Sequence, residues 1–146
     1  MSEQTYSLLR VLSETSEEHA KTIKRLGTLL KRLSKDIAND NLQLKVMSYI
    51  KRLRLLRSRI RRALDANPDI NSVDNVSREN IATLSEYMIL VGFTLERDML
   101  NTALRLARKG ARILEAHLND ITKDVDEVND LSNRLERLIS NFRDFR

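Results

Sequence analysis

The sequence predicts an all-α protein: an up-and-down helical bundle of about four helices of unequal length with coiled-coil-like seams, in one domain over residues 1–146. Three observations carry this reading. Only 3 glycines and 1 proline occur in 146 residues, whereas strands and tight turns draw on both residue types for special backbone angles. Apolar residues recur three and four apart along most of the chain, which is the period of one helix face. Hydrophobic residues make up 41% and charged residues 32%, a balance that supports a packed core, and no apolar run is long enough to span a bilayer.

The elements follow in order. A first helix over residues 3–38 carries the seam Leu8, Leu12, Thr15, His19, Ile23, Leu26, Leu30, Leu33 and Ile37. Within it "SETSEE" spaces Thr15 and Glu18 as a capping box, so the segment reads as one helix or two. The polar "NDN" at 39–41 opens a second helix over residues 41–65, with Leu42, Val46, Tyr49, Leu53, Leu56, Ile60 and Ala63 on its seam. Residues 66–76 are the one extended polar stretch, hold the only proline and read as a loop.

Ser77 is the expected N-cap of a third helix over residues 77–118. Its seam runs Ile81, Leu84, Met88, Val91, Leu95 and Met99, then slips by one to Leu100, Leu104, Ala107, Ala111, Leu114 and Leu118. Because that apolar phase crosses Gly110 unbroken, the helix is expected to end near 119–122, where Asn119 and Thr122 offer capping side chains. The fourth helix, over residues 122–145, uses Val125, Val128, Leu131, Leu135, Leu138, Phe142 and Phe145. Short connections after the first and third helices make those pairs antiparallel. A third helix of about 40 residues outreaches its neighbours, leaving seam for a homo-oligomer or a hetero-complex.

Charge is distributed as a mosaic within a net of +5. Residues 41–64 hold eight Lys or Arg and no carboxylate, residues 101–114 hold four and none, and residues 65–100 hold two against seven. On a second helix of about 36 Å, Lys45, Lys51, Arg52, Arg54, Arg57, Arg59, Arg61 and Arg62 are expected to fan over the face opposite the seam. Like charges three and four apart repel, so an anionic partner should compensate. Six of the eight are arginine, whose planar fork suits bidentate contact with phosphate or carboxylate. Arg105, Arg108, Lys109 and Arg112 would extend the patch if they lie alongside.

The preferred expectation is a non-enzymatic helical subunit that grips the phosphate backbone of DNA or RNA without reading bases, within a larger assembly. The alternative is an assembly subunit whose basic helix docks an acidic protein surface. A third possibility keeps the charge inside, with Glu79, Glu86, Glu96, Asp98 or the Asp120 to Asp130 group neutralising the basic face within the bundle. Replacing Arg54, Arg57 and Arg61 is the test the sequence proposes for a binding face. Membrane association by the basic helix is disfavoured, since it has no Trp or Phe.

Zinc-finger spacing, RNP aromatics and a convincing helix-turn-helix are missing, which argues against base-specific recognition. No cofactor or metal is expected: cysteine is absent, and residues 16 and 114 are Ser and Leu where a Glu-x-x-His metal pair would need Glu before His19 and His117. Asp120, Asp124 and Glu127 share one stripe that could hold Mg²⁺ but read more simply as first-turn acids. "RILEAH" places Arg112 and His117 at the Arg-x4-His spacing of HEPN ribonucleases, a resemblance that implies a minor nuclease alternative. The run "LRLLRSRIRRAL", residues 53–64, is similar to a helix of GINS replication subunits, which implies a helical assembly protein. The N-terminal residues carry no secretory pattern, so an intracellular protein, cytoplasmic or nucleoid-associated, is expected.

Overall fold

The computed structural model describes residues 2–144, with side chains described through residue 140. It is all-α, and no strand occurs among the described residues. Helix α1 spans Ser2–Lys35, α2 Asp40–Asp65, α3 Asn75–Tyr87, α4 Phe93–Arg108, α5 Arg112–Ala116 and α6 Leu118–Asp144. A π turn over Met88–Gly92 joins α3 to α4 into one continuous rod. Phe145 lies outside the described residues, as does the side chain of Phe142.

Helix α1 is a single piece. Thr15 does not cap: its hydroxyl donates 2.6 Å back to the Val11 carbonyl, as Thr22 does to Glu18, so both hydroxyls are satisfied inside the helix. The chain leaves α1 at Lys35, short of the expected residue 38, because Asn39 caps α2 by accepting from the Leu42 amide at 3.1 Å. Buried Gln43 pins this turn, donating to the Ile37 carbonyl and accepting from the Ile113 amide of α5 at 2.8 Å.

The expected loop is mostly ordered by polar contacts. Asn67 adopts φ 54°, a left-handed position asparagine tolerates, and Ile70–Ser72 form one 3₁₀ turn that buries Ile70. The Thr5 hydroxyl donates to the Asp69 carbonyl at 2.8 Å and Tyr6 to Asp74 at 2.9 Å, tying the segment to the start of α1. Asp74, rather than Ser77, is the N-cap of α3, accepting from the Ser77 amide and hydroxyl.

Two features correct the expected long third helix. The π turn adds a residue at 88–92, so the inward face passes to Gly92, Phe93, Glu96 and Leu100. Val91 and Leu95, expected on the seam, stand exposed. The one-residue slip read between Met99 and Leu100 is therefore real but sits two turns earlier. The helix also ends at Arg108, not near 119–122, since Gly110 takes φ 115° and Ala111 donates back to the Leu106 carbonyl at 3.1 Å. The apolar phase crossed Gly110 because the reversed chain of α5 returns Ala111 and Leu114 to the same core, both fully buried. Thr122 sits inside α6, donating to the Leu118 carbonyl, and caps nothing.

Helices α1 and α2 form an antiparallel hairpin, and α4 packs against α6. Thr5 meets Asp69, His19 meets Glu96 and Gly27 faces Met99, so α1 runs parallel to the α3–α4 rod. Arg54 meets Asp124, Arg61 meets Glu127 and Asp65 meets Arg134, so α2 runs parallel to α6. Successive long helices thus alternate in direction, while residues 66–74 cross the end of the bundle and seat α3 and α4 on α1 and α6. Leu12, Leu26, Ile50, Leu53, Phe93, Leu100, Val128 and Leu131 fill the middle, all fully buried. Among the described residues no helix is long and apolar enough to cross a membrane.

Candidate functional site

The basic helix divides its cations between two environments. Arg57 is wholly buried, between Leu53 and Ile60 on the apolar stripe rather than opposite it. Its Nη2 donates to Asp124 Oδ1 at 2.7 Å and its Nη1 to Glu127 Oε1 at 3.0 Å. Its Nε lies 2.8 Å from Glu96 Oε2, off the N–H axis, so this contact is an ion pair rather than an aligned hydrogen bond. Arg54 holds Asp124 bidentately at 2.8 and 2.7 Å, and Arg61 donates to Glu127 Oε2 at 2.7 Å. Buried His19 completes the layer, its Nε2 2.7 Å from Glu96 Oε1 and its ring edge-on to Phe93. With the proton on Nε2 the imidazole donates to Glu96 and leaves a lone pair at Nδ1 without a partner.

Three arginines face three carboxylates, and the four long rods of the bundle each contribute: His19 from α1, the arginines from α2, Glu96 from α4, Asp124 and Glu127 from α6. The hydrogen bond to Asp124 raises Arg54 above the ordinary arginine value, against the opposing effect of burial. Such a layer contributes little net stability over an apolar core, but removing one partner leaves an unpaired buried charge at a cost of about 3–5 kcal/mol. Its readable effect is register: only one axial and rotational setting of α2 against α4 and α6 pairs every charge.

Arg57 therefore faces inward, and Arg54 and Arg61, each partly exposed, flank it and turn to the same carboxylates, correcting the expected place of all three on the face opposite the seam. The charge-internal possibility holds for these three, through Glu96 and the Asp120 to Asp130 group. Elsewhere on the patch, Arg59 pairs with Glu14 at 2.7 Å and Arg112 with Asp40 at 3.1 Å, both on the surface. His117 lies 3.8 Å from Asp120, so Arg112 and His117 each turn to a separate carboxylate. Among the described residues no three His, Cys, Asp or Glu side chains converge on a metal position.

Lys45, Lys51, Arg52, Arg62, Arg105, Arg108 and Lys109 are exposed and have no carboxylate partner among the described residues. Lys45 and Arg52 lie across a groove from cations the sequence reading did not include. Lys21, Lys24, Arg25 and Arg32 of α1 face Lys45 and Arg52 of α2, with Thr28, Leu29, Ser48 and Tyr49 completing a groove of about 830 Å³. Six cations and no carboxylate line it among the described residues. Lys21 is partly neutralised by Glu17 at 3.6 Å, both well exposed. Tyr49 packs on the core with one face toward Arg52, whose guanidinium carbon is 5.3 Å from the ring centre. The second cluster, at the end of α4, does not line this groove.

The α1 cations escaped notice because residues 1–40 hold seven Lys or Arg against six Asp or Glu, so the net charge there is close to zero. Their signal is positional: Lys21, Lys24, Arg25, Thr28 and Arg32 recur three and four apart and so share one helix face, in the half of α1 that follows its cluster of glutamates. No family model matches the chain, and no curated protein or solved structure is significantly similar to it.

Proposed function

We propose that this protein binds the phosphate backbone of nucleic acid, without reading base sequence, through the groove between α1 and α2. The observation that carries the proposal is the set of six cations lining one concave surface with no carboxylate in its wall among the described residues, Lys21 alone meeting one, Glu17, beside it. Parallel rows of Lys and Arg raise the local potential, and each phosphate they neutralise releases condensed counterions. The arginines bring forked donors, the lysines point charges, and Thr28 and Ser48 add hydroxyl donors beside them.

Fluorescence anisotropy with labelled oligonucleotides of unrelated sequence, titrated at several salt concentrations, tests this. Six engaged cations give a slope of log K against log salt of about −4 on a single strand and about −5 on a duplex. Combining Lys24→Gln, Arg25→Gln, Arg32→Gln and Lys45→Gln should flatten the slope to about −1 or −2 while keeping the fold, since Gln is a good residue on an exposed helix. No binding at low salt, or an unchanged slope in the variant, overturns the proposal.

A second reading, docking of an acidic protein surface, has its own observation. Leu44 and Leu55 are 55% and 67% exposed on the same helix as Lys51 and Arg62, and phosphates make no use of leucine. Apolar anchors hold affinity at high salt where phosphate contacts do not, so the same titration separates the two.

A further inference from the structure

The groove between α1 and α2 is concave and open to solvent, and an aromatic ring, that of Tyr49, lies in its wall. We infer that it takes an unpaired strand in preference to a duplex; this rests on the nucleic-acid reading above and adds the class of ligand. Packed helices have axes about 8–10 Å apart, so the cation rows of α1 and α2 stand close enough to serve one backbone lying along the groove. A duplex sets its two backbones apart across grooves of about 12 and 6 Å, a spacing that matches the single line of this groove less well than one strand does. From Lys21 to Arg32 the α1 row runs eleven residues, about 16 Å at the helical rise, a path that follows one chain of phosphates.

The wall supplies what an unpaired base needs. Tyr49 is half-buried on the core side and opens into the groove. Its hydroxyl has no hydrogen-bond partner among the described residues. Arg52 stands over the same ring at 5.3 Å. A base that displaces the exposed Arg52 from this face stacks on the ring in its place, with the guanidinium free to move over the base or to a phosphate; every base can make this interaction and a paired base inside a duplex cannot reach it. Backbone cations flanking a stacking platform are the pattern of sequence-tolerant single-strand binding.

The experiment compares one mixed-sequence oligonucleotide alone and annealed to its complement, as DNA and as RNA, by anisotropy on the full chain and on Tyr49→Leu and Tyr49→Phe. Leucine retains apolar packing while removing the ring, and circular dichroism with thermal melting checks that each variant is folded. The expected result is tighter binding of the unpaired strand by tenfold or more. Tyr49→Leu loses about tenfold for that strand and little for the duplex, and Tyr49→Phe stays near wild type. Because the chain has 3 tyrosines and no tryptophan, a Tyr6→Phe, Tyr87→Phe background reports Tyr49 emission alone, which the unpaired strand should quench. Duplex binding equal to or tighter than single-strand binding, or no effect of Tyr49→Leu, overturns this inference and leaves backbone binding standing. No binding of either form overturns both.

Discussion

Two sets of cations on α2 differ in everything but residue type. Arg57 is wholly buried with three carboxylates around its guanidinium, while Lys45 and Arg52, on the other side of the same helix, stand in an open groove without one. The difference teaches that charge density along a helix does not locate a binding face. What decides is whether a cation sits in phase with the apolar stripe, where it must bring its own counter-charges, or out of phase, where solvent or a ligand supplies them. A triple replacement of Arg54, Arg57 and Arg61, the test the sequence alone proposes, removes cations paired with Glu96, Asp124 and Glu127, so its cost in stability would be misread as loss of binding.

The largest effect that could break this comparison is therefore on stability. Arg57→Leu strands Glu96 and part of Asp124 in the core and should cost about 3–5 kcal/mol, seen as a lower urea midpoint with an unchanged m-value. Lys45→Gln should change stability by less than about 0.5 kcal/mol. If the two substitutions are equally mild, the buried layer is not the register device argued above. Adding Glu96→Gln to Arg57→Leu should recover part of the loss, because it removes a charge left without its partner.

Binding comes next and runs in the opposite direction. Lys45→Gln should weaken nucleic-acid affinity and reduce the salt slope by about 0.7 on a single strand. Arg62→Gln, on α2 but outside the groove lining, should leave the slope near wild type. Equal effects from the two would mean the ligand spreads over the whole outer face of α2.

Legibility in the sequence follows the same division. Period and composition were enough for the all-α class, the α1–α2 hairpin and the residues 66–74 connection, because these depend on local pattern. The placement of Arg57 was partly legible: it follows Leu53 by four and precedes Ile60 by three, and His19 and Glu96 also sit on apolar stripes. What the chain could not disclose was which stripe meets which, since ion pairs such as Arg57 with Asp124 join residues far apart in sequence. The groove was hidden for the same reason, as four of its six cations belong to α1. The π turn left only a one-residue slip, and a slip can be absorbed anywhere along several turns.

A smaller effect sharpens where the third rod ends. Gly110 holds φ 115° with open space around its Cα, so Gly110→Ala meets no clash and pays only for the backbone angle. A cost of about 1–2 kcal/mol is expected, read as a lower melting temperature. A neutral or stabilising outcome would mean that the chain can run helically through residue 110.

The smallest effect concerns Asp74, at the start of α3 and remote from both sets of cations. Hydrogen bonds from the Ser77 hydroxyl, the Tyr6 hydroxyl and the Ser77 amide lower its carboxyl from 3.8 to about 2. Because the folded value lies below the unfolded one, the stabilisation is complete above about pH 4 and is lost as pH falls from 3.8 toward 2. In Asp74→Asn the side chain still caps α3 but no longer titrates, so its stability curve should be flatter than wild type across that window and parallel to it above. Full exposure keeps the contribution small. Tyr6→Phe should remove part of the same pH dependence, and failure to do so would mean that the tie between α1 and α3 does not persist in solution.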